Sequence, residues 1–143
     1  MATERDWLTG WEAALVDESK VARLGTNAAS GWPHLVPVCY ARRGDTLYVP
    51  IDEKPKSSRN LARLRNVASD PRATLLIDRY DDAWQQLGWV RLGCEATVVM
   101  GATLPDAIAA LRDRYEQYMA MPLEERDLMV LAIRRVVSWR WER

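Results

Sequence analysis

Phenylalanine is absent from this chain of 143 residues, histidine occurs once and cysteine twice. With His34 as the single imidazole, a zinc centre of the usual Cys/His kind is not expected. Any Ser-His-Asp arrangement would also have only that one base. Cys39 and Cys94 each fall in a strand-like run and read as reduced thiols of a cytosolic protein. No stretch approaches the ~20 apolar residues of a membrane span. The opening Met-Ala-Thr-Glu-Arg-Asp lacks the basic-then-apolar order of a secretion signal. An excess of one charge is missing too. Twenty Lys and Arg face twenty Asp and Glu, so no global field favours nucleic acid or an anionic membrane, and any anion site must be local. Internal repeats, low-complexity segments, a Gly-rich P-loop and a G-x-G-x-x-G turn are all lacking.

What is present suits one domain, residues 1–143, long enough to bury a core without staples. Seven tryptophans supply either core packing or walls for a planar ligand. The spacing of Trp7, Trp11, Ala14 and Leu15 predicts a helix from about Thr3 to Asp17, with Thr3 and Asp6 as a capping pair. Val21, Leu24 and Thr26 then change to strand period, up to a turn at 28–33. A second strand is predicted over His34 to Ala41, a short connection at 42–45, and a third strand over Thr46 to Ile51. Pro37 cannot donate to a ladder. It marks a sheet edge, a bulge, or a backbone that faces something other than a strand, such as a ligand ring.

Beyond the polar residues 52–56, a helix is predicted from Arg59 to Ala68. Ser57 or Ser58 would cap it, Leu61, Leu64 and Val67 would be buried, Arg63 and Arg65 would lie outside, and Asp70-Pro71 would stop it. Arg72 to Asp78 reads as a fully apolar central strand. A polar loop at 79–86 carries Trp84. Leu87 to Met100 should be the longest strand, with Gly93 at a bulge. A further helix opens at Pro105 with the stripe Leu104, Ile108, Leu111, Tyr115 and Tyr118. After a short turn at 122–127, a last strand spans Val130 to Trp141. The expected fold is mainly β with α, a six-stranded split barrel with flanking helices.

The acid pair Asp81-Asp82 and the run at 123–127 read as solvated. The stretch Lys54-Pro55-Lys56-Ser57-Ser58-Arg59 differs in kind, placing three cations and two hydroxyls just before a predicted helix start. Free N–H groups and the positive end of the helix dipole add to them, which is what a phosphate needs. A capped helix preceded by solvated lysines would have the same composition.

The order of these pieces resembles the pyridoxamine 5′-phosphate oxidase-like (PPOX class) FMN-binding split-barrel proteins, in particular their branch that uses the deazaflavin coenzyme F420. The likeness runs through 21–26 (Val-Ala-Arg-Leu-Gly-Thr), 31–38 (Gly-Trp-Pro-His-Leu-Val-Pro-Val) and 47–50 (Leu-Tyr-Val-Pro). It continues through Lys54-Pro55-Lys56, Arg59-Asn60-Leu61, Asp70-Pro71-Arg72, 75–78, Asp82-Ala83-Trp84 and Trp89-Val90-Arg91. The resemblance implies a cytoplasmic homodimer with the cofactor at its interface. It places Val36, Pro37, Val38, Pro50 and Ile51 beside the ring. Lys54, Lys56 and Ser57 fall at the phosphate, with Arg59 a lesser contact, and Trp84 and Trp89 close the pocket from either subunit. The basic residues that oxidases of pyridoxamine phosphate carry on the second strand correspond here to His34 and Cys39, which favours F420 over FMN. The implied activity is hydride transfer between reduced deazaflavin and a small organic acceptor. An FMN oxidase, an FMN electron carrier, or a non-catalytic flavin or haem module are the alternatives. No catalytic side chain is singled out, and no metal is implied.

Overall fold

In the computed structural model, which describes residues 5–51 and 61–142, the first helix, α1 (Gly10–Glu18), begins at a capping box. Glu12 accepts from the backbone N–H of Thr9 at 2.8 Å. The start is Thr9 rather than Thr3, which lies outside the described residues, and Asp6 sits in a bend before the helix. Trp7 is exposed there and is not part of the buried helical face.

Strands β1 (Ala22–Asn27) and β2 (Pro33–Val38) form a hairpin turned at Gly31, whose φ of 90° suits glycine. After β2 the expected single strand breaks. Ala41–Arg43 forms its own strand, β3, paired not with β1 but with β4 (Thr46–Pro50) across Gly44 at φ 61°. The cause is Tyr40, whose N–H donates to the Tyr115 hydroxyl and whose carbonyl accepts from Arg114 instead of a strand. This adds a strand to the expected six. The chain continues with α2 (Ala62–Ser69), β5 (Arg72–Arg79), a 3₁₀ turn at Trp84–Gln86, β6 (Gly88–Met100), α3 (Pro105–Arg114) and β7 (Asp127–Arg140). At 14 residues β7, not β6 with 13, is the longest strand.

All seven strands form one antiparallel sheet in the order β2-β1-β5-β6-β7-β4-β3. Its two edge strands, β2 and β3, are joined only by Cys39 and Tyr40. Three Cα steps reach about 11 Å at most, so the sheet must curl until its edges meet at that link. The side chains agree. Leu24 of β1 and Leu47 and Val49 of β4, from opposite sides of the sheet, share one buried cluster with Leu75, Leu92 and Leu131. Among the described residues the edges stay unpaired elsewhere, which makes a split rather than closed barrel. A second cluster packs α3 (Ile108, Leu111) with Tyr115, Tyr118 and Leu128 against the β3–β4 side.

β5 is central, as predicted, but it alternates. Ala73, Leu75 and Ile77 are buried while Thr74 and Leu76 face outward. Gly93 sits at the register shift between β6 and β7, and the extra residue belongs to β7 at Arg134, since Gly93 faces Arg135 and Cys94 faces Ile133. Helix α2 starts at Ala62 with Leu61 as its cap residue, and the predicted caps Ser57 and Ser58 lie outside the described residues. Arg63, expected outside, is buried together with Asn66, whose amide donates to Thr26 at 3.0 Å. Among the described residues no helix is long and apolar enough to cross a membrane.

Candidate functional site

The free edge of β2 and the end of β4 flank the split. β2 pairs only with β1, in a register that sets His34 beside Thr26, Val36 beside Leu24 and Val38 beside Ala22. His34, Val36 and Val38 therefore face inward, Val38 buried and Val36 packed on the core, while Leu35 and Pro37 face out. Pro37 thus lies on an edge strand, one of the settings a strand proline accepts.

On the other side, Tyr48 is level with Ala41 in the β3–β4 ladder, so Pro50 and Ile51 run past the start of β3 on the side from which β2 arrives. Both are buried, and the Ile51 N–H donates to Asp127 O at 3.0 Å. The cations and the hydroxyl expected at a phosphate, Lys54, Lys56, Ser57 and Arg59, follow directly in sequence and lie outside the described residues.

The two tryptophans separate. Trp84 stands in the 3₁₀ turn at 56% exposure. Trp89 lies on the outward sheet face, in register with Asp78 and Trp139. There, with Leu76, Asp78 and Arg91, it lines a shallow cleft of about 370 Å³. Arg91 lies over the Trp89 ring at 5.5 Å.

Groups able to do proton or nucleophile chemistry are few. Burial pushes the Cys94 thiol up to about 12, so it stays protonated and inert. Burial likewise raises the Tyr40 phenol, which is committed to the carbonyls of Val16 and Ser19. Asp81 is exposed and caps the Ala83 N–H at 2.8 Å, as a turn residue would. His34 stands apart, because its Nδ1 is buried with no hydrogen-bond partner among the described residues. A lone buried nitrogen of this kind calls for a reason, and a bound molecule is one. The donor set therefore fits a planar cofactor: an unpaired strand edge, apolar flanks at Pro50 and Ile51, one uncommitted imidazole nitrogen, and cations next in sequence.

Sequence reasoning had no view of the outward face. Arg91 and Arg135 share it through the β6–β7 register, and only the strand pairing reveals that proximity. The alternation of β7 could have signalled the face but not its neighbours.

The family model described as pyridoxamine 5′-phosphate oxidase matches residues 11–140. No curated protein sequence matches the chain. Among solved structures, a conserved hypothetical protein from Mycobacterium tuberculosis superposes with a TM-score of 0.74 at 21% identity, covering 96% of this chain and 89% of that one. A protein described as an F420 reductase gives 0.70 at 15% identity, with 91% and 98% covered. A haem-binding protein from Mycobacterium smegmatis gives 0.73 at 23% identity, with 95% and 56% covered. At these identities the likeness is one of fold.

Proposed function

Because this chain belongs to the pyridoxamine 5′-phosphate oxidase family, we propose that it is a homodimeric oxidoreductase passing a hydride between reduced coenzyme F420 and a small organic acceptor. The observation that carries this reading is the split itself. It offers an unpaired β2 edge facing the apolar end of β4, with the His34 imidazole on that edge uncommitted among the described residues. Such a slot would hold a planar ring, and the bound deazaflavin would contribute the redox step.

The backbone at Val36, Pro37 and Val38 would lie along the ring, with Pro50 and Ile51 on the other flank. These residues orient the ring and keep water from it. Lys54, Lys56 and Ser57 would hold the phosphate, with Arg59 a lesser contact, through charge-assisted hydrogen bonds. Trp84 and Trp89 would cover the pocket, from the same or the neighbouring subunit. The fold it shares with an F420 reductase supports the choice of cofactor, as do His34 and Cys39 at the second-strand positions where oxidases of pyridoxamine phosphate carry Arg and Lys.

Fluorescence titration of the purified chain with F420 and with FMN tests the proposal. The expected result is saturable F420 binding tighter than FMN binding. Lys56→Ala should weaken it by about 1.5–3 kcal/mol, the worth of a hydrogen bond to a charged group. Tight FMN binding without F420 binding would move the protein to the FMN reading, and unchanged F420 affinity in the Lys56 variant would remove the phosphate assignment.

A further inference from the structure

The main-chain bonding of β2 follows from its turn. Gly31 N–H donates to Ala28 O at 2.9 Å, and Ala28 N–H donates to Trp32 O at 3.2 Å. Bonded and non-bonded pairs alternate along an antiparallel ladder. His34, Val36 and Val38 therefore exchange their bonds with Thr26, Leu24 and Ala22. Strand β5 gives the same phase from the other side of β1. Ala96 N–H donates to Pro71 O at 2.7 Å. Alternation from that pair leaves Thr74 to bond Gly25, which turns Leu24 and Thr26 toward β2.

Pro33, Leu35 and Pro37 are thus the residues whose main-chain groups point to the free edge. The two prolines carry no N–H. Leu35 alone in β2 offers that edge both an N–H and a C=O, and neither has a partner among the described residues. Its exposed side chain leaves them clear. Leu35 Cδ2 lies 3.2 Å from where a Cβ of Gly25 would stand, so the side chain leans back over β1.

Another strand could form no more than one rung here, because a proline stands two residues away on either side. A small ring is not so limited. The N–H and C=O of one extended residue point the same way, and the ordinary partner is a residue that returns both bonds. A cyclic amide presents the same couple, a carbonyl beside an N–H.

We propose that the main chain of Leu35 holds the cyclic-amide edge of a bound heterocycle. Leu35 N–H donates to the ring carbonyl, and the ring N–H donates to Leu35 O. The identity of the ring rests on the cofactor reading above, in which this edge is the pyrimidinedione of the deazaflavin.

Fluorescence titration of the parent, Leu35→Pro and Leu35→Ala with F420 and with FMN tests the contact. Position 35 accepts proline because Pro33 and Pro37 already occupy equivalent ladder positions, and the melting temperatures of both variants should stay close to that of the parent. Leu35→Pro is expected to weaken F420 binding at least about tenfold, since it removes the donor and leaves a ring carbonyl unpaired. Leu35→Ala keeps the N–H and should bind like the parent. The ligand supplies a second arm that decides even if the proline variant does not fold. The parent should bind 5-deazariboflavin at least about tenfold more tightly than its N3-methyl derivative, which has no amide N–H. Unchanged F420 affinity in Leu35→Pro, an equal loss in Leu35→Ala, or equal binding of the two deazariboflavins overturns the contact and leaves the F420 reading in place. A protein that binds FMN but not F420, with the same loss in Leu35→Pro, upholds the contact and removes the F420 reading, because both rings carry this edge. Binding of neither overturns both.

Discussion

Glu12 accepts two hydrogen bonds from the guanidinium of Arg5, one on each carboxylate oxygen and each 2.6 Å long. The same carboxylate also receives the Thr9 N–H and hydroxyl at 2.8 Å and the Ser138 hydroxyl. One fully buried side chain thereby ties the N-terminal segment, α1 and the end of β7 together. Val136 reinforces the tie by donating its N–H to Arg5 O.

This cluster sets an acid limit on stability. Burial raises the Glu12 carboxyl, but the donors from Arg5, Ser138 and Thr9 outweigh it and hold the group down to about 2. A carboxylate depressed in the folded state contributes fully above its unfolded value near 4.3, and the contribution disappears as pH falls toward about 2. Thermal unfolding followed between pH 5 and 2 should show this loss. Glu12→Gln should lower stability at neutral pH by about 3 kcal/mol, as expected for an opened buried pair, and should flatten the acid-side slope.

The carbonyls at the end of α1 are served by side chains from elsewhere in the sequence. The Tyr40 hydroxyl reaches Val16 O at 2.5 Å and Ser19 O at 3.0 Å, and Arg114 donates to Asp17 O at 2.6 Å and to Ser19 O. Tyr40→Phe should cost about 1–2 kcal/mol through unsatisfied buried acceptors. Arg114→Lys cannot reach three carbonyls with one ammonium and should cost a similar amount. Because both side chains donate to Ser19 O, each single variant leaves that acceptor one donor, and the double variant should lose more than the sum, by about 0.5 kcal/mol or more, measured by urea unfolding.

Gly101 is held by packing rather than by dihedral angle. A Cβ there would collide with the carbonyl of Leu123, lying 3.0 Å from its carbon, and would come within 3.2 Å of Arg126 O, which the Gly101 N–H already engages at 2.8 Å. These are backbone atoms, so Gly101→Ala should destabilise by about 2 kcal/mol or more. Gly10, at the start of α1, has nothing within 4 Å of such a Cβ. Gly10→Ala should therefore be neutral or stabilise by about 0.5 kcal/mol. Comparing the two melting temperatures checks both statements.

The strand pattern was readable because burial on one face imposes a period of two, and β4, β5 and β6 begin or end within a residue of their predicted limits. The helix start was legible locally, since Thr9-x-x-Glu12, with Glu at the third position, is a fuller capping box than Thr3-x-x-Asp6. Ser138 bonds the same Glu12 from the far end of the chain. The other errors come from partners remote in sequence. Nothing local breaks the strand at Tyr40; Arg114 and Tyr115 do. Arg63 was given to solvent by helical period alone, yet α2 packs it inside. The candidate site was legible as pieces at 36–38 and 50–51. Their placement on two sides of one split needed the sheet order, since β2 and β4 do not pair.

Trp84 separates binding from folding most cleanly. It is more than half exposed, stands in a short turn fixed by Asp81 and by the Leu87 N–H, and makes no contribution to either buried cluster. Replacing it should leave the melting temperature of the cofactor-free protein within the range of ordinary surface changes, about 0.5 kcal/mol. If its indole covers the deazaflavin, Trp84→Ala should weaken F420 binding by about 1 kcal/mol, the scale of an aromatic stacking contact. Trp32, exposed on the β1–β2 turn, provides the matched control, and Trp32→Ala should leave F420 affinity unchanged if that turn lies away from the ring. An F420 titration in which the Trp84 variant binds as tightly as the parent would remove this residue from the pocket while leaving Val36, Pro37, Val38, Pro50 and Ile51 to be tested on their own.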